Sequence, residues 1–419
     1  MTTAAAAAPS DPGEPPARWR MLLLLAAAEL LGMSLWFTAG AVSPQLRALW
    51  SLSASDAGWL TTVVQLGFVA GTATAAVLNI ADVIPARVYF PASAVLAAVA
   101  NAALAWAPGY ESALAARFAT GFFLAGVYPP ALKMASTWFR AGRGFALGAI
   151  VGALTAGKAA PFLLHALHGA DYRLVILTAT GGAMTAAVIV AIAYRDGPYH
   201  FARRPFSWSL VGTVLRSREM RLATGGYLGH MWELYACWTW LAAFLAASAA
   251  VRASSGEAAL SARGIDLVTF AAIASGAVGC LWGGWAADRI GRERLVTRAM
   301  AASGTCALVI GLSLGGPSWL VGAIALAWGF FVIADSGQFS ALVTESVPAH
   351  AVGTALTLQT SLGFLLTMVT IQLVPVAVTL VGWRWAFALL ALGPAVGIAF
   401  IARLRAARGV AGVAPRVRN

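Results

Sequence analysis

The chain has 419 residues, of which 60% are hydrophobic and only 11% are charged, with a formal net charge of +12. A soluble domain carries about 25% charged residues to keep its surface in water, so this composition excludes an ordinary soluble protein and indicates a membrane protein. The basic residues stand in short groups between apolar segments. They form no continuous polar face, which argues against a nucleic-acid partner.

The N-terminal segment, residues 1–17, is rich in Ala and Pro, and we expect it to be a disordered cytoplasmic tail. Arg18 and Arg20 then precede an apolar run whose start resembles a secretory signal. The run continues past Glu29 to about residue 42, which is too long for the apolar region of a signal, and a convincing cleavage site is missing. We interpret it as the first membrane span.

Twelve apolar stretches follow one another along the chain, each near the length of about 20 residues that a membrane-crossing helix needs. They do not alternate in polarity every second residue, as the strands of an outer-membrane barrel would. The sequence therefore predicts an all-α membrane protein with twelve transmembrane helices. The predicted spans are 20–42, 57–80, 88–107, 112–138, 144–167, 174–194, 222–250, 265–287, 295–314, 319–343, 354–378 and 384–402.

The basic residues also predict the orientation of the chain. If the N-terminus is cytoplasmic, 20 of the 28 basic residues fall in cytoplasmic segments, 5 fall in outer loops and 3 lie within spans. Cytoplasmic loops of membrane proteins carry such an excess of Lys and Arg. We expect a multi-pass protein of the cytoplasmic (inner) membrane with both termini in the cytoplasm.

A basic cytoplasmic loop, residues 195–221, divides the spans into two sets of six. The pattern Ala-Asp-x-Ile occurs after the second span, at 81–84, and again after the eighth, at 287–290. Many transporters contain such an internal duplication. We predict two pseudo-symmetric six-helix bundles, residues 18–194 and 222–402, followed by a basic cytoplasmic tail at 403–419.

Two motifs resemble the major facilitator superfamily. In the second half its loop motif is complete, whereas the first half keeps only Asp82 and a displaced Arg87. The fourth span, from Arg117 through Tyr128-Pro129-Pro130, is similar to organic-anion, sugar-phosphate and nitrate/nitrite permeases. The resemblance implies a carrier whose spans 1, 4, 7 and 10 line a central cavity. The complete motif, to which it assigns a conformational role, consists of Gly284, Asp288, Arg289, Gly291 and Arg292.

Ionisable residues inside membrane spans are functional candidates because a charge in hydrocarbon costs about 2.5 kcal/mol or more. Six of the seven found here fall on the spans that the resemblance places around the cavity. The exception is Lys158 in the fifth span. The seven residues are Glu29, Arg117, Lys133, Lys158, His230, Glu233 and Asp335.

The three basic residues among them predict contacts with an anionic or carboxylated solute. Arg117 stays protonated and can bind an anion, although a structural ion pair is the alternative. Lys133 stands near the end of its span, where its side chain can reach the membrane surface. The two prolines after Tyr128 are expected to kink the helix. Further candidates for the substrate site are Tyr128, Trp36, Trp232 and Gln359.

The acidic residues and the histidine are candidates for carrying coupling protons: Glu29, Glu233, His230 and Asp335. A buried carboxyl group can take up and release a proton near neutral pH. His230 and Glu233 are three residues apart and share a helix face, which would allow a proton relay. The alternative is that these groups pair with one another, or Glu29 with Arg117 or a lysine, only to hold helices together.

The sequence predicts a secondary active transporter, coupled to protons, that moves a small anionic or carboxylated solute by alternating access, with uptake favoured. A proton-driven efflux antiporter for drugs or metabolites is the alternative.

No ATP-binding loop and no zinc-protease motif occurs, so we expect no enzyme activity, no cofactor and no metal. A membrane sensor or scaffold would need a soluble domain that is not seen. The expected partners are the solute, the coupling ion and the lipid bilayer, with a monomeric chain.

Overall fold

The computed structural model describes residues 15–139, 143–169, 171–199 and 207–413. Within these ranges the chain is helical and contains no β-strand. Most of the predicted N-terminal tail, part of the central loop and the end of the C-terminal tail lie outside the described residues. The side chain of Asp82 also lies outside them.

The N-terminal half contains ten helices over its described residues, and one short 3-10 helix, Leu104–Trp106, extends the sixth of them. They are α1 (Arg18–Met33), α2 (Thr38–Ala41), α3 (Ser43–Trp50), α4 (Ala54–Val77), α5 (Ile80–Val83), α6 (Ala86–Ala103), α7 (Tyr110–Leu124), α8 (Tyr128–Ser136), α9 (Arg143–His168) and α10 (Tyr172–Ala193).

The C-terminal half contains nine helices over the part of the chain described there. Short 3-10 helices, Gly311–Ser313, Ala349–Ala351 and Phe387–Ala391, precede or follow them. The nine are α11 (Trp208–Arg216), α12 (Arg218–Ser254), α13 (Ala262–Ile290), α14 (Arg292–Ile310), α15 (Ser318–Ala334), α16 (Ser336–Glu345), α17 (Val352–Val381), α18 (Trp383–Ala386) and α19 (Leu392–Val413).

These helices account for the twelve predicted spans. In the described part of the chain, ten helical segments are long and apolar enough to cross a membrane. The first and fourth spans are instead interrupted by turns of several residues, and the tenth has a one-residue break at Asp335, between α15 and α16. The first breaks at 34–37, between α1 and α2, and the fourth breaks at 125–127, between α7 and α8. The second break confirms the predicted kink, because Pro129 and Pro130 lie in the first turn of α8, where a missing N–H costs nothing.

The two halves pack in the same way, as an internal duplication requires. In the first half α1 packs against α9 and α10, and in the second half its counterpart α12 packs against α17 and α19. The halves meet along two pairs of helices, α9 with α13 and α4 with α17. These pairs are spans 5 and 8 and spans 2 and 11, which a pseudo-two-fold axis exchanges. The predicted fold is confirmed.

Small residues bring corresponding helices close together in both halves. A Cβ atom on Gly67 of α4 or Gly121 of α7 would collide with the opposing backbone. The same holds for Gly283 of α13 and Gly329 of α15. Close backbone approach at glycine is typical of membrane helix packing, and it fixes the distance between spans 2 and 4 and between spans 8 and 10.

Candidate functional site

Lys158 on α9 lies buried between the two halves, with 2% of its surface exposed. Its ammonium group donates a hydrogen bond to the hydroxyl of Tyr235 on α12. The Nζ atom lies 4.0 Å from the ring centroid of Trp36, 4.7 Å from that of Tyr235 and 5.9 Å from that of Trp238. Aromatic faces attract a cation. The ammonium group is therefore held by rings from both halves.

The rings around Lys158 belong to a larger aromatic cluster. Trp36 lies 5.2 Å from Phe68 and 5.7 Å from Phe364, measured between ring centroids. Phe364 in turn lies 4.9 Å from Phe68 and 5.3 Å from Tyr235. Spans 1, 2, 5, 7 and 11 thus converge on one point between the halves. We call the following residues the central cluster: Glu29, Trp36, Phe68, Lys158, Tyr235, Trp238 and Phe364.

Glu29 on α1 is fully buried, with 0% of its surface exposed. Neither carboxyl oxygen has a hydrogen-bond partner among the described residues. Its charge interacts with that of Lys158, yet no salt bridge joins it to either lysine or to Arg117 in the described part of the chain. Nothing described there supports a permanent ion pair at Glu29.

Several buried N–H groups in and near the central cluster lack an acceptor. Nε1 of Trp36, Nε1 of Trp238 and Nε2 of Gln65 have no hydrogen-bond partner among the residues that the structure describes. Nε2 of Gln359, farther along α17, is in the same situation. Buried polar groups are nearly always hydrogen-bonded. The region therefore combines several hydrogen-bond donors without acceptors with the two unpartnered carboxyl oxygens of Glu29.

Arg117 on α7 is completely buried and all its contacts are structural. Its guanidinium donates to the carbonyl oxygens of Leu35 (3.0 Å), Leu60 (3.3 Å) and Trp36, and to Oδ1 of Asn101 (3.0 Å). Leu35 and Trp36 lie in the turn between α1 and α2, where carbonyl groups lose their helical partners. Arg117 thus binds the backbone of the broken first span at Leu35 and Trp36.

His230 on α12 lies against Asp335, and both side chains are buried. Nδ1 of His230 is 2.9 Å from Oδ1 of Asp335, an ion-pair distance, although the angles do not meet hydrogen-bond geometry. The imidazole packs on the rings of Tyr227 and Phe339, at 6.1 and 5.3 Å between centroids. Asp335 lies at the junction of α15 and α16.

Glu233 has different partners from those that its spacing suggests. Its Oε1 accepts a hydrogen bond from Nε1 of Trp328 at 2.6 Å, and its Oε2 accepts one from Oγ of Ser303 at 2.8 Å. Sequence spacing predicts that Glu233 pairs with His230, whereas in the structure the two side chains contact different residues. Glu233 faces α14 and α15 inside its own half.

Lys133, Tyr128 and Trp232 are three further residues that the sequence predicts for the solute site. Lys133 on α8 is exposed, and Tyr128, at the start of α8, is partly buried. Trp232 donates its Nε1 hydrogen to the carbonyl of Leu389 at 3.1 Å and packs against Gly393 of α19. Trp232 is therefore part of the packing between spans 7 and 12.

The loop motif of the second half lies at the junction of α13 and α14. Gly291 adopts a φ of 88°, which favours glycine, and separates the two helices. Arg292 donates to Oε1 of Glu345 at 3.0 Å and to Oε1 of Gln338 at 2.9 Å, both on α16. The motif thus ties α14 to the tenth span.

The other motif residues make fewer contacts across the half. The guanidinium of Arg289 lies 3.7 Å from the ring centroid of Trp285. Asp288 is exposed, and Gly284 has open space beside it.

The sequence predicted Trp36 for the same site as Lys158, and the structure brings the two together, but sequence reasoning missed the other aromatic residues around Lys158. Tyr235 and Trp238 are three residues apart in the seventh span, so they share a helix face. That spacing was the available signal, but sixteen tryptophans in the chain made any single one uninformative. Phe68 and Phe364 carried no signal because phenylalanine is common in membrane spans.

Comparison with known proteins identifies the family. The sequence profile of the Major Facilitator Superfamily matches residues 24–371. The chain belongs to the Major Facilitator Superfamily. It is thus a membrane transporter with a small-molecule substrate, as the resemblance implied. No curated protein sequence matches it.

Among the solved structures that share the fold are two of one kind of transporter. A bacterial homolog of the human lysosomal transporter Spinster, inward-facing and unoccupied, matches with a TM-score of 0.67 at 14% identity, covering 94% of this chain and 96% of that chain. The inward-facing, occupied form of such a homolog matches with a TM-score of 0.64 at 14% identity, covering 96% and 98%. At this identity the likeness shows the fold alone.

Proposed function

We propose that this transporter moves a small anionic or carboxylated solute together with a proton, by alternating access, and that Lys158 binds the anionic group. The observation that carries the proposal is the position of Lys158. It lies buried between the halves, in contact with aromatic rings and one hydroxyl group. A buried lysine with no carboxylate bonded to it is an available counter-ion for a solute.

The unpartnered donors support the same class of solute. Lys158 has three N–H donors, and the N–H groups of Trp36, Trp238 and Gln65 lack acceptors among the described residues. A carboxylate or phosphate brings several strong acceptor atoms and no donor when ionised. The rings of Phe68 and Phe364 would contact the apolar part of such a solute.

Glu29 provides the proton coupling in this proposal. The charges of Glu29 and Lys158 interact, and together they are neutral when both are ionised. An anion bound at Lys158 would leave an excess negative charge in a low-dielectric site, which is costly. A proton on Glu29 restores neutrality. Anion and proton therefore bind together, which is symport.

His230 and Asp335 are a second candidate for proton binding, in the C-terminal half. Nδ1 of His230 lies 2.9 Å from Oδ1 of Asp335, and Nε2 has no hydrogen-bond partner among the residues described. Glu233 already accepts two hydrogen bonds, and we assign it to structure.

A site between two six-helix halves is suited to alternating access by a rocking movement. The halves touch through side chains that can separate without unfolding a helix. Gln372 on α17, for example, accepts from Ser55 at 2.8 Å and donates to Thr62 at 3.1 Å, both on α4.

Efflux of a cationic drug or metabolite in exchange for protons is the alternative, and Glu29 favours it. A buried carboxylate whose two oxygens have no hydrogen-bond partner among the described residues would also bind an amine. The two functions differ in which residue of the central cluster the solute needs.

A thermal-shift screen of the detergent-purified protein tests the proposal, because a ligand of the folded state raises its melting temperature. The ligands are carboxylates, sugar phosphates, inorganic anions and amines. We expect stabilisation by an anion, and we expect Lys158→Ala to abolish it and the exposed Lys133→Ala to retain it.

In proteoliposomes, the anion identified in this way should enter faster when a pH gradient drives protons inward, and Glu29→Gln should remove this dependence. Stabilisation by amines alone, lost in Glu29→Gln and kept in Lys158→Ala, would contradict the proposal and support efflux.

A further inference from the structure

A second polar cluster joins the two halves at the end of the bundle opposite to the chain termini, where α9 ends and α13 begins. Nδ1 of His165 on α9 lies 2.7 Å from Oδ2 of Asp266 on α13. Nε2 of the same imidazole lies 2.6 Å from Nε2 of Gln45 on α3. His165 and Asp266 are each 8% exposed, so the cluster lies just below the surface.

The hydrogen bonds can accommodate both protonation states of the imidazole. With the amide nitrogen of Gln45 donating to Nε2, His165 is neutral and donates from Nδ1 to Asp266. Oε1 of Gln45 has no partner among the described residues. A half-turn of the amide brings this oxygen to Nε2, so that a doubly protonated imidazole donates to Gln45 and Asp266 at once.

On the helices that carry the cluster and on the neighbouring α10, the other charged and titratable groups near this end have separate contacts or are exposed. On α9, His168 lies 3.5 Å from the hydroxyl of Thr178. Asp171 accepts from the first turn of α10, and Arg173 donates to Tyr172. Arg47 on α3 donates to the carbonyl of Leu52, and Arg263 on α13 is exposed. Among the described residues, Asp266 is the charged group in contact with the His165 imidazole.

We propose that His165, Asp266 and Gln45 form a proton-binding latch that closes this end of the transporter. A hydrogen bond between imidazolium and carboxylate is stronger than one between neutral imidazole and carboxylate. Because His165 and Asp266 belong to different halves, protonation stabilises the arrangement in which the halves touch here. As pH rises and the imidazole loses its second proton, this stabilisation is lost and the end opens more readily.

The latch is separate from the central cluster and does not depend on the charge of the solute. It would make the opening of this end respond to the pH of the compartment that it faces, and thereby order proton binding and solute access.

Distance measurements by pulsed electron paramagnetic resonance test the latch directly. Spin labels are placed at Ala48→Cys on α3 and Ala262→Cys on α13, in full-length protein with Cys237, Cys280 and Cys306 replaced by alanine. The protein is studied in lipid nanodiscs without solute, from about pH 5 to about pH 8, where imidazoles titrate. We expect the ratio of short to long distances to fall by about fivefold or more over this range.

His165→Gln and Asp266→Asn should each remove this pH response, whereas His168→Gln, one turn away on the same helix, should retain it. Because each of the two substitutions removes the same contact, the test needs only one of the two variants to fold well. A distance distribution that does not change with pH in the unsubstituted protein, or a response that persists in His165→Gln, would overturn the latch. Because the distance measurement requires no solute, it tests the latch even if the proposed anion specificity is wrong.

Discussion

Glu233 and Glu29 are both buried acidic residues, but they differ in the hydrogen bonds that a substitution would remove. Glu233→Ala leaves the Trp328 donor buried without its acceptor, which costs about 1–3 kcal/mol, whereas the Ser303 hydroxyl keeps the carbonyl of Met300 at 3.2 Å. We expect this variant to have a clearly lower melting temperature than the unsubstituted protein. Glu29→Gln loses no hydrogen bond among the described residues but removes the charge that interacts with Lys158, and we expect its melting temperature to fall less than that of Glu233→Ala.

Thermal unfolding of the two purified variants in the same detergent measures this difference. If Glu233→Ala instead keeps the melting temperature and loses proton-linked flux, Glu233 carries protons and our structural assignment is wrong.

The sequence predicts which single residues matter better than it predicts their partners. Lys158 and Glu29 stand out because an ionisable group in an apolar segment costs free energy and is therefore expected to have a function. The partner of Lys158 is Tyr235, 77 positions away, and no local pattern connects the two. His230 and Glu233 show the opposite failure: their spacing suggested a pair, but residues on other helices provide better partners for each.

At the scale of the helix, the break in the first span depends on Arg117. The turn at 34–37 leaves carbonyl groups inside the bundle without helical partners, and the Arg117 guanidinium donates hydrogen bonds to two of them. Arg117→Lys offers three donors from one nitrogen in place of a planar fork. We expect both Arg117→Lys and Arg117→Ala to destabilise the protein, by about 3 kcal/mol for Ala, given the strength of charged hydrogen bonds.

A combined measurement separates this positioning role from direct solute binding. Thermal unfolding should show the loss of stability in both Arg117 variants. If Arg117 holds the Trp36 backbone, ligand titration of the folded fraction should show equally weakened anion affinity in Arg117→Lys and Arg117→Ala. If Arg117 binds the anion directly, the affinity of Arg117→Lys should be partly restored relative to that of Arg117→Ala. Unchanged stability in Arg117→Ala would contradict the positioning role.

The two interrupted spans show where helix prediction succeeds and where it stops. The break before Tyr128 was predictable because two prolines cannot continue a helix interior. The break at 34–37 contains no proline, and hydropathy continues through it. Its cause is tertiary, since the turn is stabilised by a side chain from α7. Local sequence carries no sign of such a cause.

For the molecule as a whole, composition and span length were enough to predict the fold, because lipid leaves few ways to satisfy the backbone. The repeated packing of α1 and α12, and of the glycines on α4 and α13, follows from the duplication that the span count suggested. The contacts between the halves were not predictable, because they join segments with no shared pattern.

The orientation of the chain in the membrane remains a prediction and can be tested with single cysteines in a background without the three native ones. Ala48 on α3 and Gly409 on α19 lie at opposite ends of the bundle, and both are exposed. With 20 of 28 basic residues on the side of the termini, the positive-inside rule places that side in the cytoplasm. In intact cells, a membrane-impermeant maleimide should label Ala48→Cys, and it should label Gly409→Cys only after the cells are opened. The reverse pattern would invert the orientation and place the His165 latch on the cytoplasmic side, where it would respond to internal pH.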